Sequence, residues 1–108
     1  MLTHTTEKCG DMLIVRLNGR LDTDAAADLD AQFTAWIAED CRKLVLNLAD
    51  LNYTSIINLR CILWAAKTLK TSWRELVLCC AQPMVKEVFR ISGLATLIPI
   101  QDAEPKAD

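Results

Sequence analysis

The apolar positions of this chain change period several times, and each change marks an element. From Leu2 to Glu7, and again from Met12 to Leu17, polar and apolar residues roughly alternate, as on a half-buried strand. The intervening "KCGD" supplies turn residues, so the opening predicts a β-hairpin. Over "NGRLDTDAAADLDAQFTAWIAED" the spacing lengthens. Ala25, Leu29, Phe33, Trp36 and Ile37 recur three or four apart, giving one apolar face to a helix over about residues 24–39. Asp22 or Thr23 can cap that helix, and Asp24 and Asp28 suit the positive end of its dipole.

"KLVLNLADL" is a nearly unbroken aliphatic run, the mark of a strand buried on both sides. Tyr53, Thr54 and Ser55 then read as the end of a loop and a cap. A second helix follows, with Leu59, Ile62, Leu63, Ala66 and Leu69 as its buried stripe. "ELVLCC" predicts another buried strand. "QPMVKEVFRISG" predicts a third helix, with Pro83 in its first turn, Val85, Val88 and Phe89 inward, and Gly93 ending it. "TLIPI" reads as a final short strand. The order implies one α/β domain over residues 1–108, with a core of about 12–100 and a polar tail, 101–108, expected to fray. The sheet should be mixed and of four or five strands, with the helices mainly on one face. Helices that follow buried strands bring their N-termini to one rim, where ligands and partners of open α/β sheets gather. Residues 52–60 and the loop Gly19–Asp24 should lie near it.

Composition narrows the function more than the fold. Residues are 52% hydrophobic and 24% charged, with 12 basic and 14 acidic side chains and a net charge of −2. That balance, without a local Lys/Arg cluster, argues against nucleic acid or an anionic membrane as the main partner. No stretch approaches the roughly 18 apolar residues of a membrane span, and the opening residues lack the pattern of a signal peptide. The expected location is the cytoplasm. Five cysteines without C-x-x-C spacing read as reduced core residues. Cys79 and Cys80, adjacent in a strand, should point to opposite faces. With one histidine, His4, no metal site is expected, and no cofactor. The three glycines are scattered, so no phosphate loop forms, and no nucleophile is accompanied by a histidine base. Asp22 and Asp24 are capping residues rather than a catalytic pair. The expectation is a non-enzymatic protein.

Three stretches in this order, "VRLNGRLDTDAAADL", "LVLNLADLNYTSIINLR" and "ELVLCCAQPMVKEVFRISGL", resemble the STAS domain. The likeness runs from about Met12 to Ile100 and is strongest to bacterial anti-sigma factor antagonists. The resemblance implies a cytoplasmic signalling protein of transcription regulation. Such proteins bind the switch-protein kinase that acts as anti-sigma factor and displace its sigma factor. It implies a partner surface at Gly19, Arg20, Asp22, Thr23, Tyr53, Thr54, Ser55, Ile56, Ile57, Asn58 and Arg60, with no nucleic acid, no membrane insertion and a weak homodimer left open. In the family, a serine at the start of the second helix is phosphorylated, which ends binding. An ungapped match puts Ser55 one residue early, Ile56 at the phosphoacceptor, Ile57 at a small residue and Asn58 at a glycine. Ser55 would then cap the helix. The switch residue is therefore missing.

An apolar pair at an exposed helix start is tolerable if another protein covers it, with Trp64 extending the patch; alternatively both isoleucines tuck under the preceding loop as a staple. Trp36, Trp64 and Trp73 are expected to be packing residues. The alternative function is a STAS scaffold subunit of a transporter-associated or multi-protein signalling complex.

Overall fold

The computed structural model describes residues 2–106, with the side chain of Ile56 excepted. Strands β1 (Thr3–Cys9) and β2 (Met12–Leu21) form the expected antiparallel hairpin. Gly10 and Asp11 close it, with Gly10 at φ 60°, the left-handed conformation that a two-residue hairpin turn requires. A single 3-10 turn, Thr23–Ala25, then leads into helix α1 (Ala26–Ala38). Of the two expected caps it is Asp22 that serves: its Oδ1 accepts the Ala25 N–H at 3.1 Å. Strand β3 (Lys43–Thr54), helix α2 (Ile56–Lys70), strand β4 (Glu75–Cys79), helix α3 (Pro83–Ile91) and strand β5 (Ile100–Gln101) follow.

The five strands lie in the order β1-β2-β3-β4-β5, and every pair after the hairpin is parallel. Each crossover therefore advances by one strand in the same direction. Crossovers of one hand that all advance one way place their helices on the same face of the sheet. The main core lies there. Phe33 and Phe89 are fully buried against Leu13, Leu44, Leu46 and Leu78, joined from α2 by Leu59, Ile62, Ala65 and Leu69. Each such large side chain contributes on the order of 1.5–3 kcal/mol of burial free energy. Ala65, not Ala66, is the buried alanine of the α2 stripe, and Leu63 and Ala66 flank it half-buried. Trp36 packs edge-on against Phe33 at 5.5 Å and against His4 at 5.2 Å, which gives the single histidine a packing role.

One-way winding leaves the second face without helices, yet Met12, Ile14, Val45, Val77 and Cys79 form a buried cluster there. The C-terminal tail, expected to fray, is anchored to this face through Glu104. Glu104 meets the Arg16 guanidinium in a bidentate pair, with both contacts at 3.0 Å, and accepts the Asn47 amide at 2.6 Å. Arg16 and Asn47 stand opposite each other in the β2–β3 ladder, so one carboxylate ties the tail across two strands. The cysteines also depart from expectation. Cys80 leaves the strand at φ 64°, and its side chain packs against the same cluster as Cys79 rather than on the opposite face. All five thiols are free, and burial pushes the Cys79 thiol up to about 12. Trp64 and Trp73 are exposed, so of the three tryptophans only Trp36 is a core residue. No helix among the described residues is long and apolar enough to cross a membrane.

The tail contact generates a pH-dependent prediction. Arg16 first, then the Asn47 amide, holds the Glu104 carboxyl below the usual carboxylate range. A lowered folded-state pKa contributes stability that is present above the unfolded pKa and lost as pH falls through the folded value. Replacing Glu104 by Ala should lower the unfolding free energy at neutral pH by about 1 kcal/mol. Urea melts should show the gap between wild type and variant closing below the ordinary glutamate pKa of roughly 4.3. A gap unchanged in acid would mean that the carboxylate does not hold the tail.

Candidate functional site

The site grows from two irregularities in β3. Arg16 pairs with Asn47 but Asn18 with Asp50, and Gly19 pairs with Leu51 but Arg20 with Tyr53. At each step β3 carries one residue more than β2, so it bulges twice. Gly19, at φ 114°, meets the second bulge in a backbone conformation that side-chain-bearing residues rarely adopt. The extra residues carry β3 on to Thr54, and β2 on to Leu21. Segments expected to be loops, Gly19–Leu21 and Tyr53–Thr54, are therefore strand ends locked in one ladder. One outcome is that Arg20 and Tyr53 emerge side by side, with the guanidinium 4.5 Å from the ring centroid. Such a stack contributes about 0.5–1 kcal/mol where exposed and fixes both side chains.

Asn58 joins these strand ends to α2. Its side chain is fully buried, and Nδ2 lies 2.8 Å from Leu21 O, Asp22 O and Ser55 Oγ. Two hydrogens thus serve three acceptors that come from the end of β2, the cap of α1 and the cap of α2. Ser55 N–H reinforces the joint by donating to Leu21 O at 2.9 Å. Ser55 does occupy the N-cap position of α2, but its side chain makes no capping bond to the backbone, since the hydroxyl accepts from Asn58 instead. That is a correction to the expected capping role.

The structure brings Gly19, Arg20, Asp22 and Thr23 together with Tyr53, Thr54, Ser55 and Asn58. The side chains divide into two sets. Arg20, Thr23, Tyr53, Ile57 and Arg60 are exposed, with Tyr53 at 40% and Ile57 at 45%. Thr54 and Asn58, expected in the partner surface, are buried, and Asp22 is occupied by its cap; these three hold the site together. Ile56 opens α2, and the expectation for its side chain lies outside the described residues. Ile57 is not tucked under the preceding loop. Trp64, 44% exposed, lies two turns further along α2. The Arg20–Tyr53 stack escaped sequence reading because only the bulges bring the pair level. Among the described residues no group of three or more His, Cys, Asp or Glu is placed to hold a metal ion.

Asn58 is the residue to test for the joint. Leu21 O and Asp22 O each keep a backbone donor if the amide is removed, and Asn58 Oδ1 is buried without a partner among the described residues. Both facts limit the loss. Asn58→Ala should therefore cost about 1–2 kcal/mol in chemical denaturation, without the larger penalty of orphaned carbonyls. A neutral result would remove the amide from the framework of the site.

The STAS domain family profile matches residues 3–107. BtrV of Bordetella bronchiseptica, whose name assigns it as an anti-sigma factor antagonist, is 38% identical over 103 residues, covering 95% of this chain and 89% of that protein. The crystal structure of an anti-sigma factor antagonist from Mycobacterium paratuberculosis matches with TM-score 0.87 at 17% identity, over 95% of this chain and 87% of its own. The anti-sigma factor antagonist SpoIIAA, unphosphorylated, matches with TM-score 0.80 at 23% identity, over 94% of this chain and 89% of its own. The latter two speak for the fold; the profile and the sequence relative speak for kinship. The chain belongs to the STAS domain family, as an anti-sigma factor antagonist-like member.

Proposed function

We infer that the chain is a non-catalytic bacterial regulator that binds a switch-protein kinase acting as anti-sigma factor, through the rim where α2 begins. Serine phosphorylation at the usual position does not control it. The observation that carries this reading is the side-chain set at that rim: Ile56 and Ile57 stand where the family motif has its phosphoacceptor and a small residue. Exposed Ile57, Tyr53 and Trp64 make the surrounding surface apolar, and Arg20 and Arg60 supply charge around it. An exposed apolar patch with a polar surround is suited to burial by a protein partner.

Ser55 does not replace the missing acceptor. Ser55 precedes the helix as its N-cap, with an extended backbone, and its hydroxyl is engaged by the Asn58 amide. A phosphate, carrying roughly −1.5 to −2 charges, would have to break that contact. Binding is then constitutive and indifferent to ATP, in a protein working in the cytoplasm with the transcription machinery.

Two outcomes are expected. Incubation with the partner kinase and ATP should leave the intact mass unchanged; a phosphate adduct on Ser55 or Thr54 that abolishes binding would overturn the regulatory reading. Ile57→Glu should weaken the complex by about tenfold or more, the range of a hot-spot loss, while the melting temperature stays near that of wild type. If the kinase binds Ile57→Glu as tightly as wild type, the rim is not the contact.

A further inference from the structure

At the opposite end of α2 the chain builds a second feature, which the rim does not use. A cavity of about 910 Å³ opens where β3 and β4 begin and α2 ends. That volume falls within the ordinary range for small-molecule sites. Its floor includes the buried apolar side chains Met12, Leu76 and Ile98. Its walls carry five cationic residues, Arg42, Lys43, Lys70, Arg74 and Lys106, against two acidic ones, Asp11 and Glu75. In a chain of net charge −2 this is a local reversal of sign. Two of the cations are already engaged: Lys43 pairs with Glu75 at 3.2 Å, and Arg74 donates to the carbonyls of Ile37 and Glu39 at 2.9 and 3.1 Å. Arg42 and Lys70 have no carboxylate partner among the described residues.

Trp73 stands at the mouth of this cavity. It is 92% exposed, and it holds φ 61° at the end of α2, a position where glycine is usual. The surrounding backbone bonds, Trp73 N–H to Lys70 O at 3.2 Å and Arg74 N–H to Leu69 O at 3.0 Å, fix that conformation. The chain thus presents a large aromatic side chain to solvent from a strained backbone, beside uncompensated cations. Neither exposure nor backbone geometry favours tryptophan here on folding grounds.

We propose that this cavity is a binding site for a small organic anion bearing a flat aromatic ring. The ring packs on the Trp73 indole, and the anionic group lies against Arg42 and Lys70. The 15 residues of α2 separate it from the partner rim by about 22 Å of helix, so it stands or falls independently of the function proposed above.

The test uses 1-naphthyl phosphate as probe, with inorganic phosphate and 1-naphthol as half-ligands, in calorimetric titrations of the whole chain. Saturable binding of 1-naphthyl phosphate is expected, about tenfold or more tighter than either half. The double variant Arg42→Glu/Lys70→Glu should abolish it. Trp73→Gly should abolish it as well while raising the melting temperature, because glycine adopts the left-handed conformation without strain. That opposite movement of binding and stability is something a purely structural tryptophan would not produce. Absence of saturable binding, equal binding of inorganic phosphate alone, or binding that survives Trp73→Gly or the charge reversal would each overturn the proposal.

Discussion

Every parallel connection in this chain moves the sheet forward by one strand in the same direction, and most of the molecule depends on that constraint. It gathers α1, α2 and α3 onto one face, where the leucines of β2, β3 and β4 meet Phe33 and Phe89. It also aligns the starts of the helices along one edge of the sheet, so that their free N–H groups and caps converge. The cost is a second face with no helix to cover it. Five apolar side chains there are buried all the same, with Glu104 pinning the tail over Arg16 and Asn47. A carboxylate shared by an arginine and an amide suits that task, since a charge-assisted contact adds direction that apolar burial lacks.

The convergent edge becomes a defined surface because of two local choices. Bulges in β3 bring Arg20 level with Tyr53, and Asn58 ties the end of β2 to the caps that lead into α1 and α2 with a single amide. The residue that the family pattern implies at position 58 is glycine, which has no side chain to do this. Here, then, Thr54 and Asn58 turn inward while Ile57 faces outward, the reverse of an ordinary helix start. Ser55 illustrates it: the hydroxyl that would cap α2 faces Asn58, and the backbone N–H groups of the first turn receive no side-chain oxygen from it.

The regular elements were legible because their physics is local or periodic. The hairpin, the helical face of Ala25, Leu29, Phe33 and Trp36, and the aliphatic runs of β3 and β4 can each be read within a short window. What could not be read depends on pairs distant in sequence. The bulges exist only in the register between β2 and β3, and without them residues 19–21 and 53–54 look like loops. The tail looked free because Glu104 is polar, and its partners lie 88 and 57 residues away. Cys80 looked like a strand residue because a left-handed φ has no signature in a cysteine side chain. For the rim, sequence grouped two segments that the fold brings together but could not tell which side chains turn in: Thr54 and Asn58 are buried, while Tyr53 and Ile57 face out.

On the reading proposed for the rim, losing the phosphoacceptor changes how binding can be controlled. A phosphorylatable antagonist has two states that differ by nearly two charges at the contact, enough to turn an interface on or off at fixed concentration. A rim carrying Ile57, Tyr53 and Trp64 has no such second state, because apolar side chains do not change charge. Occupancy then follows mass action alone: the fraction of partner bound rises with the concentration of the chain relative to its dissociation constant. Control moves from modifying the antagonist to setting its abundance, or to an event at another surface of the same domain. The far end of α2 is joined to the rim by one continuous helix packed along the core through Leu59, Ile62, Ala65 and Leu69. A ligand there could alter binding at the rim only if it favoured one of two arrangements of that helix over the other, since a ligand that binds both equally shifts nothing.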